Sequence, residues 1–161
     1  MPFMSIDDPD FFSRTPDHLK HMQAGRGDGG NLAYFPMGDV KDNPPTVACL
    51  KIAPHGVIGR HTHNCHRFEV IVRGTLDVGG GRILKVGDVM VSEPYVFYGP
   101  HVAGPEGCTT FEIFSTHVGS HSPILETEKG MEEFDTSVPG TIDKVRAIMA
   151  EQNAKVLKPR A

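Results

Sequence analysis

The chain has 161 residues, of which 39% are hydrophobic and 22% are charged, and its formal net charge is −4. This composition is typical of one globular domain and excludes a disordered chain. No basic stripe is present, which argues against nucleic acid as a partner. No apolar run approaches the roughly 20 residues that would cross a bilayer, so no membrane association is expected.

The cysteines and the first residues indicate a cellular compartment. Cys49, Cys65 and Cys108 are odd in number and irregularly spaced, which argues against a disulfide framework. The first segment carries acids and prolines where a secretory signal would need a basic start and an apolar run. We therefore expect a reducing, cytoplasmic setting.

Residues 1–45 are predicted to form an N-terminal arm that packs on the rest of the domain. In "TPDHLKHMQAG", Thr15 is a suitable N-cap, Pro16 the first helical residue and Gly25 the stop, which predicts a short helix. The later "LAYFPMGD" is typical of a short strand.

Residues 46–120 have the rhythm of strand and turn, because short apolar runs alternate with glycine and proline. The predicted strands are "TVACLKIA", "VIGRHTH", "RFEVIVRGTLDV", "ILKV", "VMVSEP", "VFYGPHVAG" and "TTFEIFSTHV". With no convincing helix between them, these strands predict an all-β sandwich or small barrel.

Residues 121–161 are predicted to be an extension of the same single domain that ends in an amphipathic helix, "TIDKVRAIMAEQNAKV". Its apolar stripe consists of Ile142, Val145, Ile148, Met149 and Val156, at roughly helical spacing. We expect the stripe to pack on the barrel or on a partner subunit. Together, the arm and this stripe predict a homodimer.

The stretch "GRHTHNCHRFEVIVRG" concentrates residues that can bind metal. Strand alternation points His61 and His63 to the same face, and imidazoles suit zinc, copper, iron and nickel. His101, in "YGPHVAG", could join them from an antiparallel neighbour. These three residues predict a site with open positions for one divalent transition metal ion per chain.

The other histidines and the nearby cysteine are given no ligand role. Parity places His66 on the opposite strand face, and Cys65 is expected to be a loop residue. Surface positions are predicted for His18, His21, His55, His117 and His121.

Two motifs resemble those of the cupins over residues 46–118. The matching residues are Gly56 or Gly59, His61, His63 and Gly74 in the first motif, and Gly87, Pro94 and His101 in the second. The resemblance implies an all-β fold: a single jelly-roll barrel with a short N-terminal helix and a C-terminal amphipathic helix. It also implies His61, His63 and His101 as metal ligands.

One position departs from the cupin pattern. Where cupins usually carry a ligand glutamate or glutamine, this chain has Arg67, whose guanidinium has no acceptor for a cation. Glu69 shares the strand face and needs a partner if it is buried. It is a candidate metal ligand, directly or through water, and a candidate catalytic group. The alternative is an ion pair with Arg67 or Arg73.

The arrangement is similar to that of three-histidine cupins such as the acetylacetone-cleaving dioxygenase. The resemblance implies an iron(II) dioxygenase acting on a small carbonyl or phenolic compound, with zinc, nickel or manganese as other metals. Candidates for an apolar wall are Phe97, Tyr98, Phe111 and Phe114. Two alternatives stay open: a lyase, isomerase or cyclase using zinc or nickel as a Lewis acid, and a non-catalytic module that binds a small molecule.

Overall fold

A computed structural model describes residues 3–23 and 30–156, except the side chain of Val156. The strands are β1 Asn31–Pro36, β2 Thr46–Ile52, β3 Val57–Ile58, β4 Arg67–Asp77, β5 Ile83–Lys85, β6 Val89–Ser92, β7 His101–Phe114, β8 Ile124–Thr127 and β9 Gly130–Glu133. The helices are α1 His117–Ser120 and α2 Thr141–Val156, with 3-10 helices at Phe11–Arg14, Asp17–Gln23 and Val40–Asp42. The predicted all-β class with a C-terminal helix is confirmed.

Seven strands pair antiparallel in one sheet, and two more form a hairpin. The order in the large sheet is β1-β2-β7-β4-β5, with β3 also paired to β7 and β6 to β4. Strand β1 lies inside the segment predicted as an arm, so the sheet extends into it. No strands were predicted for the residues that form the hairpin of β8 and β9.

Strand β4 shows how the sequence places polar groups inside the fold. Arg67, Glu69 and Ile71 are buried, while Phe68 between them is exposed, because side chains alternate between the two faces of a strand. The apolar part of the interior consists of Leu50, Ile52, Ile71, Leu76, Leu84, Ala103 and Cys108. Charged residues therefore share the inner face with an aliphatic core.

Gly74, the closing glycine of the first motif, is required by the close approach of β4 to β7. Its φ is +68°, and a Cβ there would lie 2.0 Å from the carbonyl oxygen of Gly107. The pairing of the two strands shifts register on either side of this point. Two strands were predicted here, at "VFYGPHVAG" and "TTFEIFSTHV"; the structure instead has the single long strand β7.

The N-terminal arm and α2 both pack on the sheet. The arm helix Asp17–Gln23 is 3-10 and buries Leu19 and Met22 against Tyr34 and Phe114; Gly25, its predicted stop, lies outside the described residues. Helix α2 begins at Thr141, as predicted, and buries Val145. In the part of the chain that is described, no helix is long and apolar enough to span a membrane.

We expect Leu19→Ala to lower the free energy of unfolding by about 2–5 kcal/mol, the usual cost of truncating a buried leucine. The side chain is fully buried between the arm and the sheet. Chemical denaturation measures the change, and Lys20→Ala, at an exposed position of the same helix, is the control. Equal stability of the two variants would show that the arm does not pack on the sheet.

Candidate metal centre

His61 and His63 are buried side by side where the chain enters β4. Their ring centroids lie 5.2 Å apart. The Nδ1 atom of His61 lies 2.7 Å from the carbonyl oxygen of Gly59, and that of His63 lies 2.7 Å from the carbonyl oxygen of Gly119. A carbonyl only accepts, so each Nδ1 carries the proton. The Nε2 atom of each ring is left with its lone pair, which is the form that binds a metal.

His101 is the buried first residue of β7, and Tyr98 contacts both its ring and that of His61. The ligand nitrogens of His61, His63 and His101 are not all within 4.8 Å of one another. Ile58 of β3 pairs with His101, and an isolated bridge pairs His61 with Tyr98. The Tyr98 ring lies 4.6 Å from the His61 ring and stacks on the His101 ring at 5.8 Å. The Tyr98 hydroxyl lies 3.1 Å from Nε2 of His61, to which it donates. A shared metal on the three histidines stays a prediction.

The guanidinium of Arg67 is buried beside this site and contacts two carboxylates. Its Nη1 atom lies 2.9 Å from Oε2 of Glu69, in an ion pair, and donates a hydrogen bond of 2.9 Å to Oε2 of Glu112. Its Cζ atom lies 3.9 Å above the Tyr98 ring. The structure therefore shows the pairing of Glu69 with Arg67 that the sequence left as an alternative. Arg73, the other candidate partner, pairs instead with Asp7.

Glu112 is a functional candidate that the sequence analysis missed. It lies directly opposite Glu69 in the register of β4 and β7, so two buried carboxylates share one guanidinium. Burial, and then the charge of Glu112, raises the pKa of Glu69 to about 7. An acid inside the apolar run "TTFEIF" is the same signal that singled out Glu69 and could have identified Glu112.

Burial keeps the interior histidines neutral. It is the first cause that lowers the pKa of His63 to about 3 and that of His101 to about 4, and the charge of Arg67 adds to both effects. The pKa of His61 is lowered in the same direction, by burial and then by His63. All three rings are therefore uncharged near neutral pH, as metal ligation requires.

A cavity of about 150 Å³ adjoins His61 and His63. Helix α2 forms part of its wall. Other lining residues are Leu50, Ile58, Glu112, Phe114, His121, Val145 and Met149. The cavity is mainly apolar with a few polar lining groups, which is typical of a small-molecule site.

The four aromatic residues proposed as an apolar wall separate into two groups. Phe114 lines the cavity, and Tyr98 contacts His61. Phe111 instead packs near Phe11 of the arm, with ring centroids 6.4 Å apart. Phe97 lies under the guanidinium of Arg60.

A second histidine cluster lies beside the first. One ligand nitrogen from each of His18, His117 and His121 lies within 4.8 Å of the others. The predicted surface positions of His117 and His121 are wrong, because both rings are buried. The short helix α1 directly follows β7 and turns both rings inward. Their i, i+4 spacing in "HVGSH" places them on one face of a helical turn, which could have indicated the pair.

His66 and Cys65, also in the quoted stretch, belong to neither histidine cluster. His66 is exposed, as its parity predicted, and its Nδ1 atom lies 3.0 Å from Oε2 of Glu93. Cys65 is buried in the apolar cluster around Leu19. Burial raises the pKa of its thiol, which keeps it protonated.

No known family model matches the sequence, and no curated protein matches it. Among solved structures, the chain is similar to an acetylacetone dioxygenase from Acinetobacter johnsonii, with 10% identity, 89% of this chain and 92% of that one covered, and a TM-score of 0.53. An RmlC-like cupin from Ralstonia eutropha matches with 16% identity, coverage of 86% and 83%, and a TM-score of 0.48. Another from Shewanella frigidimarina matches with 20% identity, coverage of 56% and 79%, and a TM-score of 0.48. The chain has a cupin fold.

The neutral buried histidines should make the metal-free protein more stable as pH rises from 5 to 6.5, because the unfolded chain protonates them. Glu69 should oppose this rise by up to about 1.4 kcal/mol per pH unit. Folded Glu69, with its pKa raised to about 7, holds a proton over this range that the unfolded chain has released. Stability should therefore rise more steeply with pH in Glu69→Gln than in the wild type, and Glu106→Gln, at an exposed position, should keep the wild-type slope. Equal slopes for the wild type and Glu69→Gln, in urea denaturation across this range, would contradict the raised pKa.

Proposed function

We propose that the chain is a mononuclear metal-dependent enzyme of the cupin type, an iron(II) dioxygenase that acts on a small carbonyl or phenolic compound. The observation that carries the proposal is the pair His61 and His63 at a buried cavity, each with Nδ1 bound to a backbone carbonyl. Metal-binding histidines almost always donate their other ring nitrogen in this way. In the proposal, His101 completes the ligand set.

The residues around the histidines fit a divalent cation. Three neutral imidazoles suit iron as well as zinc or nickel. The charge of Arg67 is offset by Glu69 and Glu112, both within ion-pair distance, so the guanidinium does not present an unbalanced positive charge to the metal. Tyr98 must withdraw its hydroxyl from Nε2 of His61 when a metal binds there.

Iron(II) held by three histidines would supply a centre with free positions for a bidentate substrate and dioxygen. The chain would provide the surroundings. A cavity of about 150 Å³ admits a compound of only a few heavy atoms, and Phe114, Val145 and Met149 make part of its wall apolar.

We assign proton handling to Glu69. A pKa of about 7 lets this carboxyl hold or release a proton near neutral pH. Glu112 lines the cavity and shares Nη1 of Arg67 with Glu69, so the pair connects the cavity to the buried carboxyl. Glu69 could ligate the metal only by leaving Arg67, which makes the proton role the better supported of the two.

The test is an oxygen-electrode screen of 1,3-diketones and catechols, with protein purified without a histidine tag and loaded with iron(II). His63→Ala should remove one equivalent of bound iron and reduce oxygen consumption by at least about 100-fold, because a ligand contributes more than the supporting groups whose loss typically costs about 10–100-fold. His66→Ala, on the opposite strand face, should match the wild type. Iron retained in full by His63→Ala would contradict the site. Turnover without oxygen consumption would contradict the dioxygenase and favour the Lewis-acid alternative.

We also propose that the chain forms a homodimer through the outer face of the sheet around β6. Phe68 of β4 pairs with Val91 of β6 on one side and with Ile113 of β7 on the other. These three apolar side chains are exposed, Val91 by 68%, and form one patch across neighbouring strands. A self-complementary patch of this kind suits a two-fold partner.

Sedimentation at micromolar concentration should give twice the monomer mass of 17.6 kDa. Val91→Lys should shift the protein to monomer, because a charge placed in an apolar interface is costly. Val138→Lys, at another exposed valine, should remain dimeric. A wild-type protein that sediments as a monomer would contradict the dimer.

A further inference from the structure

We infer that His18, His117 and His121 form a second transition-metal site, separate from the site of the proposed function, that fastens the N-terminal arm to the sheet. One ligand nitrogen of each lies within 4.8 Å of the others. The Nε2 atoms of His18 and His117 are 3.1 Å apart. Two nitrogens that bind one ion at about 2.0–2.1 Å are separated by about 3.0–3.4 Å, so the pair already has the spacing of two ligands.

The other nitrogens of the buried rings have the surroundings of a metal site. Nδ1 of His117 lies 3.0 Å from the hydroxyl of buried Thr46. Nδ1 of His121 is buried, makes no hydrogen bond among the described residues and lies 3.4 Å from a carboxylate oxygen of Asp135. A hydroxyl or carboxylate at the second nitrogen fixes the orientation and tautomer of a metal-binding histidine. A metal bound to Nε2 of His121 would give this buried ring a partner for its second nitrogen.

The donor set selects the kind of metal. Three imidazoles suit zinc, copper, nickel or iron, whereas calcium and magnesium prefer oxygen ligands. His18 is exposed, so solvent can reach the ion and supply a fourth ligand. Zinc, which imposes no geometric preference of its own, is the appropriate probe.

The position of the site in the chain indicates what the metal would do. His18 lies in the arm helix Asp17–Gln23, and His117 and His121 lie 99 and 103 residues later, at the start and just after the end of α1. A metal shared by these elements would cross-link the arm to the end of β7. It would thereby oppose local opening of the arm, in proportion to its occupancy.

Zinc titration of the metal-free, untagged protein by calorimetry tests the site. The wild type should bind two equivalents if both sites exist, and His18→Ala and His18→Gln should each lose one. The glutamine variant can still hydrogen-bond to His117 but is a poor ligand, so its loss of zinc separates ligation from a hydrogen bond between the rings. His66→Ala, an exposed histidine outside the cluster, should bind as the wild type does.

Trypsin cleavage after Lys20, followed by mass spectrometry, reports on the arm itself. Zinc at about 100 times its dissociation constant should slow this cleavage about 100-fold in the wild type and in His66→Ala, because cleavage requires the arm to open. Zinc should have no such effect in His18→Gln. If His18→Gln binds as much zinc as the wild type and gains the same protection, the inference is wrong.

The zinc titration can contradict either of the two proposed sites without contradicting the other. One equivalent that is lost in His63→Ala but kept in His18→Gln would overturn this second site and leave the proposed function standing. One equivalent that is lost in His18→Gln but kept in His63→Ala would support the second site and contradict the site of the proposed function.

Discussion

The buried guanidinium of Arg67 balances the charge of the carboxylates inside this fold. Glu69 and Glu112 lie directly opposite each other on β4 and β7, where two like charges would be strongly unfavourable in a medium of low dielectric constant. Arg67 contacts both carboxylates through one nitrogen, and all three side chains are buried. Removing Arg67 would leave two buried carboxylates opposite each other without a counter-charge, so the register of β4 against β7 depends on this residue.

The same guanidinium connects the carboxylates to the histidines. It lies over the ring of Tyr98, whose hydroxyl reaches Nε2 of His61. Cation–π attraction therefore holds Tyr98 where it can donate to Nε2 of His61. Arg67 stands where cupins usually carry a ligand glutamate or glutamine, and the buried carboxylates beside it belong to Glu69 and Glu112. Glu112 lines the same cavity as His61 and His63, while Glu69 is held by Arg67.

Local rules were enough to predict part of this arrangement. Strand alternation correctly placed Arg67 and Glu69 on one inner face and His66 on the outer one, and the helical period correctly predicted α2 over residues 141–156. These features depend on neighbours in sequence. Placing Glu112 opposite Glu69 requires the register between the two strands. Bulges near Gly74 shift that register, and they cannot be located from the sequence pattern. The burial of His117 and His121 depends on the direction of the turn after β7, which side-chain periodicity does not specify.

Helix α1 lies between the two groups of histidines and belongs to both. The carbonyl of Gly119, inside α1, accepts the hydrogen bond from Nδ1 of His63, while His117 and His121 border the same helix at its two ends. His121 also lines the cavity beside His61 and His63. A movement of α1 that changed the spacing of His117 and His121 would therefore also move the group that orients His63. If binding at one cluster moves α1, binding at the other cluster must change the affinity of the first by the same factor, because such coupling is reciprocal.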